Sequence, residues 1–202
     1  GGVNAPTFTV EELRAAVDEA AATGHRVVAH ASTSEGIRRA VLAGIKSIEH
    51  GNEASDEVLQ LMAKNGVTLC PTLAAREAIA RYAPASEQAA QQERVQAQKE
   101  MFQRALKYGV NLVCGSDVGV FAHGENAWEI ELMVAYGMPP AQALQAATIR
   151  AAQLLGWQDR LGSLAPNKLA DVIAVKGDPL ADIHRLREVV LVLKGGKIFR
   201  RE

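Results

Sequence analysis

The feature that most constrains this chain is an alternation of short β-branched runs with amphipathic helical stretches. Residues 25–30 (HRVVAH), 45–50 (IKSIEH), 67–73 (VTLCPTL) and 110–117 (VNLVCGSD) are brief and bounded by glycine or small polar residues. Strands buried on both faces look like this. Pro71 lacks a ladder donor, so it must sit at the very end of its strand. Between these runs, Thr9 with Glu11 and Glu12, followed by Leu13, Ala16, Val17 and Ala20 at three-to-four spacing, predicts a capped helix ending at Gly24. Residues 34–43 place Ile37, Ala40 and Val41 on one face and stop at Gly44, and Ser55 caps a third helix through Asn65 and Gly66. Residues 76–108 read as helical with a glutamine-rich, solvated face, and residues 127–136 and 140–155 as two further helices. Four strand-helix units with short connections predict a parallel sheet.

After Gly156 the pattern changes. Residues 170–175 (ADVIAV), 188–193 (EVVLVL) and 197–200 (KIFR) are short strands separated by Gly177-Asp178-Pro179 and Gly195-Gly196 turns. Three such strands bury too little to stand alone, so they are expected to complete a small β-structured domain begun elsewhere. The division expected is residues 1–160 and 161–202. A chain of 202 residues, 48% of them apolar, is enough for one sizeable core. It falls short of the about 250 residues of a complete eight-stranded α/β barrel. The opening, GGVNAP, begins without methionine and reads as a loop, which leads us to expect a missing N-terminal portion.

Lysine plus arginine number 22 against 23 aspartate plus glutamate, so no electrostatic ground exists to expect a nucleic-acid or anionic-membrane partner. No apolar run approaches a membrane span, and no signal peptide is visible in residues 1–9, which leaves the compartment open. Cys70 and Cys114 lack the spacing of a cysteine metal cluster and read as small apolar residues on buried strands.

Side chains at the C-terminal ends of parallel barrel strands project into the active site of such folds. Three of the four expected strands end in a metal-ligand type, His30, His50 and Asp117. Two imidazoles and a carboxylate suit Zn²⁺ or a similar divalent ion. Singly, each has an ordinary alternative: a histidine can close a strand as a hydrogen-bonded core residue, and Asp117 can cap the loop that follows.

The segments VAHASTSEGIRRAVLAGIKSIEHGNEASDEVLQLMAKNGVTLCPTL, GVNLVCGSDVGVFAHGENAWEIELMVAYGMPPAQALQAATIRAAQLLG and LGSLAPNKLADVIAVKGDPLADI together resemble the C-terminal half of metal-dependent amidohydrolases. The resemblance is to the branch that contains imidazolonepropionase-like enzymes and Xaa-Pro or arginine-type dipeptidases and carboxypeptidases. It implies an α/β fold made of strands five to eight of a TIM (β/α)8 barrel, plus the C-terminal strands of a small β-sandwich domain. It also implies that His30 and His50 are metal ligands and that Asp117 is both a ligand and the catalytic proton shuttle. Two divalent ions, zinc foremost, would serve the intact enzyme.

The chain also departs from that family. The His-x-His of strand one and the bridging lysine of strand four are absent, and Lys46 and Lys64 do not lie at strand ends. Ser32 stands where many relatives carry a second histidine. His123 and Glu125 occupy a loop segment recurrent in the branch, with substrate contact and simple loop fixation as equal readings. Arg76 lies where several relatives place a tyrosine near the substrate carboxylate; a guanidinium would hold that group bidentately, while an exposed helix arginine is the plainer reading. The function implied is metal-dependent hydrolysis of peptide-like or cyclic amide bonds, with lactones or phosphotriesters as alternative substrates. The competing reading is a catalytically incompetent half-barrel that assembles with a missing N-terminal half or with a second copy.

Overall fold

The computed structural model describes residues 5–201, so Gly1 to Asn4 of the opening loop lie outside the described residues. Helix α1 (Val10–Ala22) starts where a capping box forms: Glu12 N–H donates to Thr9 Oγ1 at 3.2 Å, and Thr9 N–H donates to Glu12 Oε2 at 2.8 Å. Strand β1 (Val28–Thr33) runs straight into α2 (Ser34–Ala43), with Thr33 Oγ1 accepting from Gly36 N–H as the cap. Gly44 ends α2 in the left-handed conformation at φ 94°, as its place in the sequence predicts. Strand β2 (Ser47–Glu53), helix α3 (Asp56–Lys64) capped by Ser55, and strand β3 (Thr68–Cys70) follow. Then come α4 (Leu73–Tyr82), α5 (Gln88–Lys107), β4 (Asn111–Leu112), α6 (Ala127–Ala135), α7 (Pro140–Ala146) and α8 (Ile149–Leu155).

The four strands form one parallel sheet in sequence order, with His30 opposite Glu49, Ala31 opposite His50, Glu49 opposite Cys70 and Leu69 opposite Leu112. Ile48, Leu69 and Leu112 sit in one buried layer with Ile37, Leu59, Met101, Phe102 and Met133 from the helices. Fully burying side chains of this size contributes about 1.5–3 kcal/mol each. That layer fixes the sheet on its helices, and so fixes where the strand ends lie.

Several elements differ from the sequence reading. β1 starts three residues later than expected and continues past His30 to Thr33, so His30 lies within the strand. β4 is only two residues long, which leaves Asp117 beyond the ladder. The long helix expected over 76–108 is two helices, because Pro84 forces Ala83 into extended backbone at ψ 145°. The helix expected over 140–155 is broken at Thr148, whose hydroxyl donates to Leu144 O at 2.7 Å. The polar stretch of α5 is not wholly solvated: Gln98 is buried, donating to Pro71 O at 2.7 Å, in line with Met101, Phe102 and Ala105.

The tail folds as an antiparallel sheet of β5 (Val172–Val175), β6 (Val189–Lys194) and β7 (Lys197–Arg201). Gly195 and Gly196, both with positive φ, make the tight turn between β6 and β7. A 3-10 turn (Ile183–Arg187) between β5 and β6 docks on α6: Arg187 donates to both carboxylate oxygens of Glu131, at 2.5 and 2.8 Å. This bidentate pair holds the Glu131 carboxyl below the usual carboxylate range. Ile173, Ile198 and Phe199 remain exposed on the small sheet.

The ends of β3 and β4 approach so closely that a Cβ on Gly115 would overlap Cys70 Sγ. Gly115→Ala is therefore expected to lower stability by about 1–3 kcal/mol through overpacking. Adding Cys70→Ala should recover part of the loss; denaturant titration of the four proteins reads the coupling, and strict additivity would refute the contact.

Candidate metal and substrate site

One edge of the parallel sheet gathers unusual backbone. Of the four non-glycine residues with positive φ among those described, three lie within or after the strands of this sheet: His50 at 74°, inside β2 and not at its end as expected, Thr72 at 50°, two residues past β3, and Asp117 at 55°, five past β4. The fourth, Asn167, lies in the tail. A left-handed residue with a Cβ costs roughly 1–2 kcal/mol, more when it is β-branched like Thr72. Strain of this kind persists only where packing over-determines it, and it gathers at functional sites. Gly51 extends the bend with φ 65°, and a Cβ there would come within 2.6 Å of Leu69 Cδ1. The chain thus turns sharply within β2 and swings the His50 ring toward β1.

There it meets His30. The two imidazoles lie edge to face, with ring centroids 4.4 Å apart. Burial holds the His50 imidazole below its usual pKa, and the neighbouring His30 acts in the same direction, while Asp117 and Glu49 pull it upward. His50 is accordingly a neutral ring with an available lone pair at neutral pH, the form that ligates metals. Its Nδ1 is 2.7 Å from Thr72 Oγ1. When Nδ1–H donates to that oxygen, the lone pair falls on Nε2.

The expected three-residue convergence is met in part. His30 and His50 are in contact, and Asp117 is near enough to act on the charge of His50. Among the described residues, no group of three or more His, Cys, Asp or Glu is gathered tightly enough to hold a metal ion by itself. The donors fit a divalent ion chemically, as two imidazole nitrogens with a carboxylate at hand. Cys70 and Cys114 offer no thiolate: burial pushes both thiols up, Cys114 to about 12.

Arg76 lies on α4 and is half-buried, unlike an ordinary exposed helix arginine. It lines a cavity of about 920 Å³ together with His30, Ser32, Asn52, Glu53 and Arg94. Burial holds its guanidinium below the usual range, with Arg94 acting the same way and Glu53 opposing. A cation in that setting favours an anionic guest. Ser32 Oγ accepts from Asn52 Nδ2 at 3.3 Å on the cavity wall.

His123 lies exposed in the loop between β4 and α6, outside that cavity. Glu125 accepts from Arg187 Nη1 at 3.1 Å, so it ties the loop to the tail. Asn126 Nδ2 donates to Ser116 Oγ at 3.1 Å, which anchors the same loop beside Asp117. Trp128 packs edge-on against Phe121, as a core residue does.

Sequence reasoning overlooked Thr72 and Glu129. Thr72 is the N-cap of α4 yet makes no side-chain cap bond to it. That cap comes from α6: the Glu129 carboxylate, 0% exposed, accepts Leu73 N–H at 3.0 Å and Ala74 N–H at 2.7 Å. Burial pushes the Glu129 carboxyl up to about 7, against the two backbone bonds that favour its charged form. The only sequence signal was spacing: Glu129 and Met133 share the buried stripe of α6.

Comparison with known proteins gives a consistent assignment. Residues 3–199 match the model of the amidohydrolase family. The chain is 36% identical over 210 residues to ochratoxinase of Aspergillus niger, covering 98% of this chain and 42% of that protein. It is 33% identical over 177 residues to an imidazolonepropionase of Symbiobacterium thermophilum, covering 84% of this chain and 38% of that protein. Among solved structures, a Xaa-Pro dipeptidase with methionine bound in its active site superposes with a TM-score of 0.90 at 38% identity, covering 99% of this chain and 52% of that one. The chain spans about half the length of these relatives.

The buried Glu129 carboxyl makes stability depend on pH. Its folded pKa of about 7 lies above the ordinary 4.5, so between these values the folded state retains a proton that the unfolded state has lost. The wild type should therefore lose stability relative to Glu129→Gln as pH rises through that window, by up to about 3 kcal/mol. Denaturant titrations of both proteins at several pH values measure this; a difference that stays flat would contradict it.

Proposed function

The chain belongs to the amidohydrolase family, and from that premise we propose that it carries part of a metal-dependent site that hydrolyses amide bonds. The observation that supports this most is the strained turn that brings His50 against His30, with Asp117 close by. The fold reading that goes with it is strands five to eight of a (β/α)8 barrel over residues 1–160. Residues 161–202 then contribute strands to a small β-sandwich domain.

His30, His50 and Asp117 would hold a divalent ion together with ligands that the described residues do not supply, with zinc the first choice for two imidazoles and a carboxylate. When bound, the ion would supply Lewis acidity for the scissile carbonyl and for the attacking water, with two such ions in the intact enzyme. Neutral His50 offers Nε2 while Thr72 holds the far side of its ring. Asp117 takes the proton of the attacking water and returns it to the departing nitrogen, which leaves readily only once protonated. Arg76, half-buried beside His30 in the cavity, holds a substrate carboxylate. His123 contacts substrate from the loop when that loop folds inward. Peptide-like or cyclic amides that carry a carboxylate are the substrates favoured by this cation and by the dipeptidase and imidazolonepropionase relatives. Lactones and phosphotriesters are the alternatives.

A second reading rests on the sheet itself. Among the described residues, β1 pairs only with β2 and β4 only with β3, and Val28 on β1 is 54% exposed. Two open edges invite pairing with a separate N-terminal half or a second copy. In that reading the chain is an assembly unit whose site is completed by its partner. Native mass and metal content of the purified 202-residue chain separate the two. An isolated monomer argues against the assembly unit, whereas two tightly held ions in this chain alone argue against the incompetent half.

In the enzyme that contains this segment, Asp117→Asn is expected to lower kcat by about 10²–10⁴-fold while leaving the melting temperature nearly unchanged. His50→Ala should release metal as well. Wild-type kcat in Asp117→Asn would refute the assignment.

A further inference from the structure

An N-cap residue ordinarily adopts extended backbone and turns its side-chain oxygen back onto the N–H groups of the first helical turn. Thr72 does neither. It sits in the left-handed region at φ 50° and ψ 48°, and its hydroxyl is bonded to His50 instead. Of the two amides that Glu129 takes by reaching across from α6, Ala74 N–H at the second helical position is one an N-cap hydroxyl can reach, and Leu73 N–H at the first is not. Both groups are buried, so an acceptor cannot come from solvent.

We infer that Glu129 is a positioning residue for His50: by capping α4 in place of Thr72, it frees the Thr72 hydroxyl to hold the His50 ring. The Thr72 hydroxyl has two competing uses, as helix cap or as partner of His50 Nδ1. With the Glu129 carboxylate in place, the cap is already satisfied. Without it, Leu73 and Ala74 N–H lose their acceptor inside the protein. For Ala74 N–H the nearest remedy is for Thr72 to relax to extended backbone and turn its hydroxyl onto it. That relaxation also relieves the left-handed strain, which offsets part of the cost of giving up the bond to His50. His50 then loses the contact that selects its tautomer and orientation. The consequence for turnover rests on the proposal that His50 ligates the metal, whereas the link from Glu129 to His50 does not.

The test uses the full-length enzyme with ¹⁵N-labelled histidine, first without metal, with the His50 signals identified by their loss in His50→Asn. Thr72→Val is expected to shift the His50 ring nitrogens away from one tautomer toward a mixture, and Glu129→Gln to shift them in the same direction. Thr72→Ser, which keeps the hydroxyl, should restore the wild-type signal. With zinc added, Thr72→Val and Glu129→Gln should each lower metal affinity and kcat/KM by about 10–100-fold, the range for residues that orient a metal ligand. The double variant should be no worse than Thr72→Val alone, since both act through one bond.

A Glu129→Gln protein that melts earlier but keeps the wild-type His50 signal would overturn the inference, as would losses that multiply in the double variant. If Glu129→Gln does not fold, Glu129→Asp keeps a carboxylate with a shorter reach, and its His50 signal is read by the same criteria. If His50→Asn retains zinc and turnover, the metal assignment fails, and the metal-free spectra still decide the link between Glu129 and His50.

Discussion

The parallel sheet sets the terms for everything else in this molecule. Strands that run the same way deliver all their C-terminal ends to one side, and the buried layer of Ile48, Leu69 and Leu112 locks those ends in register. Residues distant in sequence then meet without any local preference for doing so. The left-handed conformations at His50, Thr72 and Asp117 are local costs that this packing sustains. Gly51 and Gly115 are the positions where the sheet has no room for a Cβ, and each lies beside or just before one of the strained residues.

What was legible in the sequence follows from how far each interaction reaches. Caps and stops are decided within four residues, so Thr9, Ser55 and Gly44 gave helix ends close to those observed. Strand existence was equally legible from short β-branched runs. Strand ends were not, because the ladder stops where a neighbour's backbone diverges: residues 110–117 look like a long strand, yet pairing covers only Asn111–Leu112. The break between α4 and α5 was signalled by Pro84, and the helical pattern on either side masked it.

The site divides in the same manner. His30, His50 and Asp117 stood out in the sequence as expected strand ends, yet His30 and His50 lie within their strands, Asp117 lies past β4, and contact between the two rings depends on the bend at His50 and Gly51. Thr72 and Glu129 were unreadable because their roles exist only across elements. A glutamate at position 129 looks like any surface acid until the fold buries it against the start of α4. Arg76 illustrates the converse: its sequence position allowed either an exposed cation or a cavity cation, and packing of α4 against α5, which carries Arg94, made it the latter.

Two charge arrangements then separate the supporting frame from the reactive side of the sheet. On the frame side, charges are paired: Arg187 spans Glu131 and Glu125, which fastens the tail to α6 and to the loop after Asp117. On the reactive side, like groups are set together: His30 beside His50, and Arg76 within the influence of Arg94. Setting Arg76 near Arg94 raises the energy of the empty cavity, and an anionic guest would relieve that. A carboxylate neutralises the arginines directly. For the proposed metal site, burial and the neighbouring His30 both work toward an unprotonated His50, the form a metal ion would need. The same proximity that disfavours protons therefore favours a ligand that needs lone pairs, and the fold supports both through one helix, since α4 carries Arg76 and begins at the residue that holds His50.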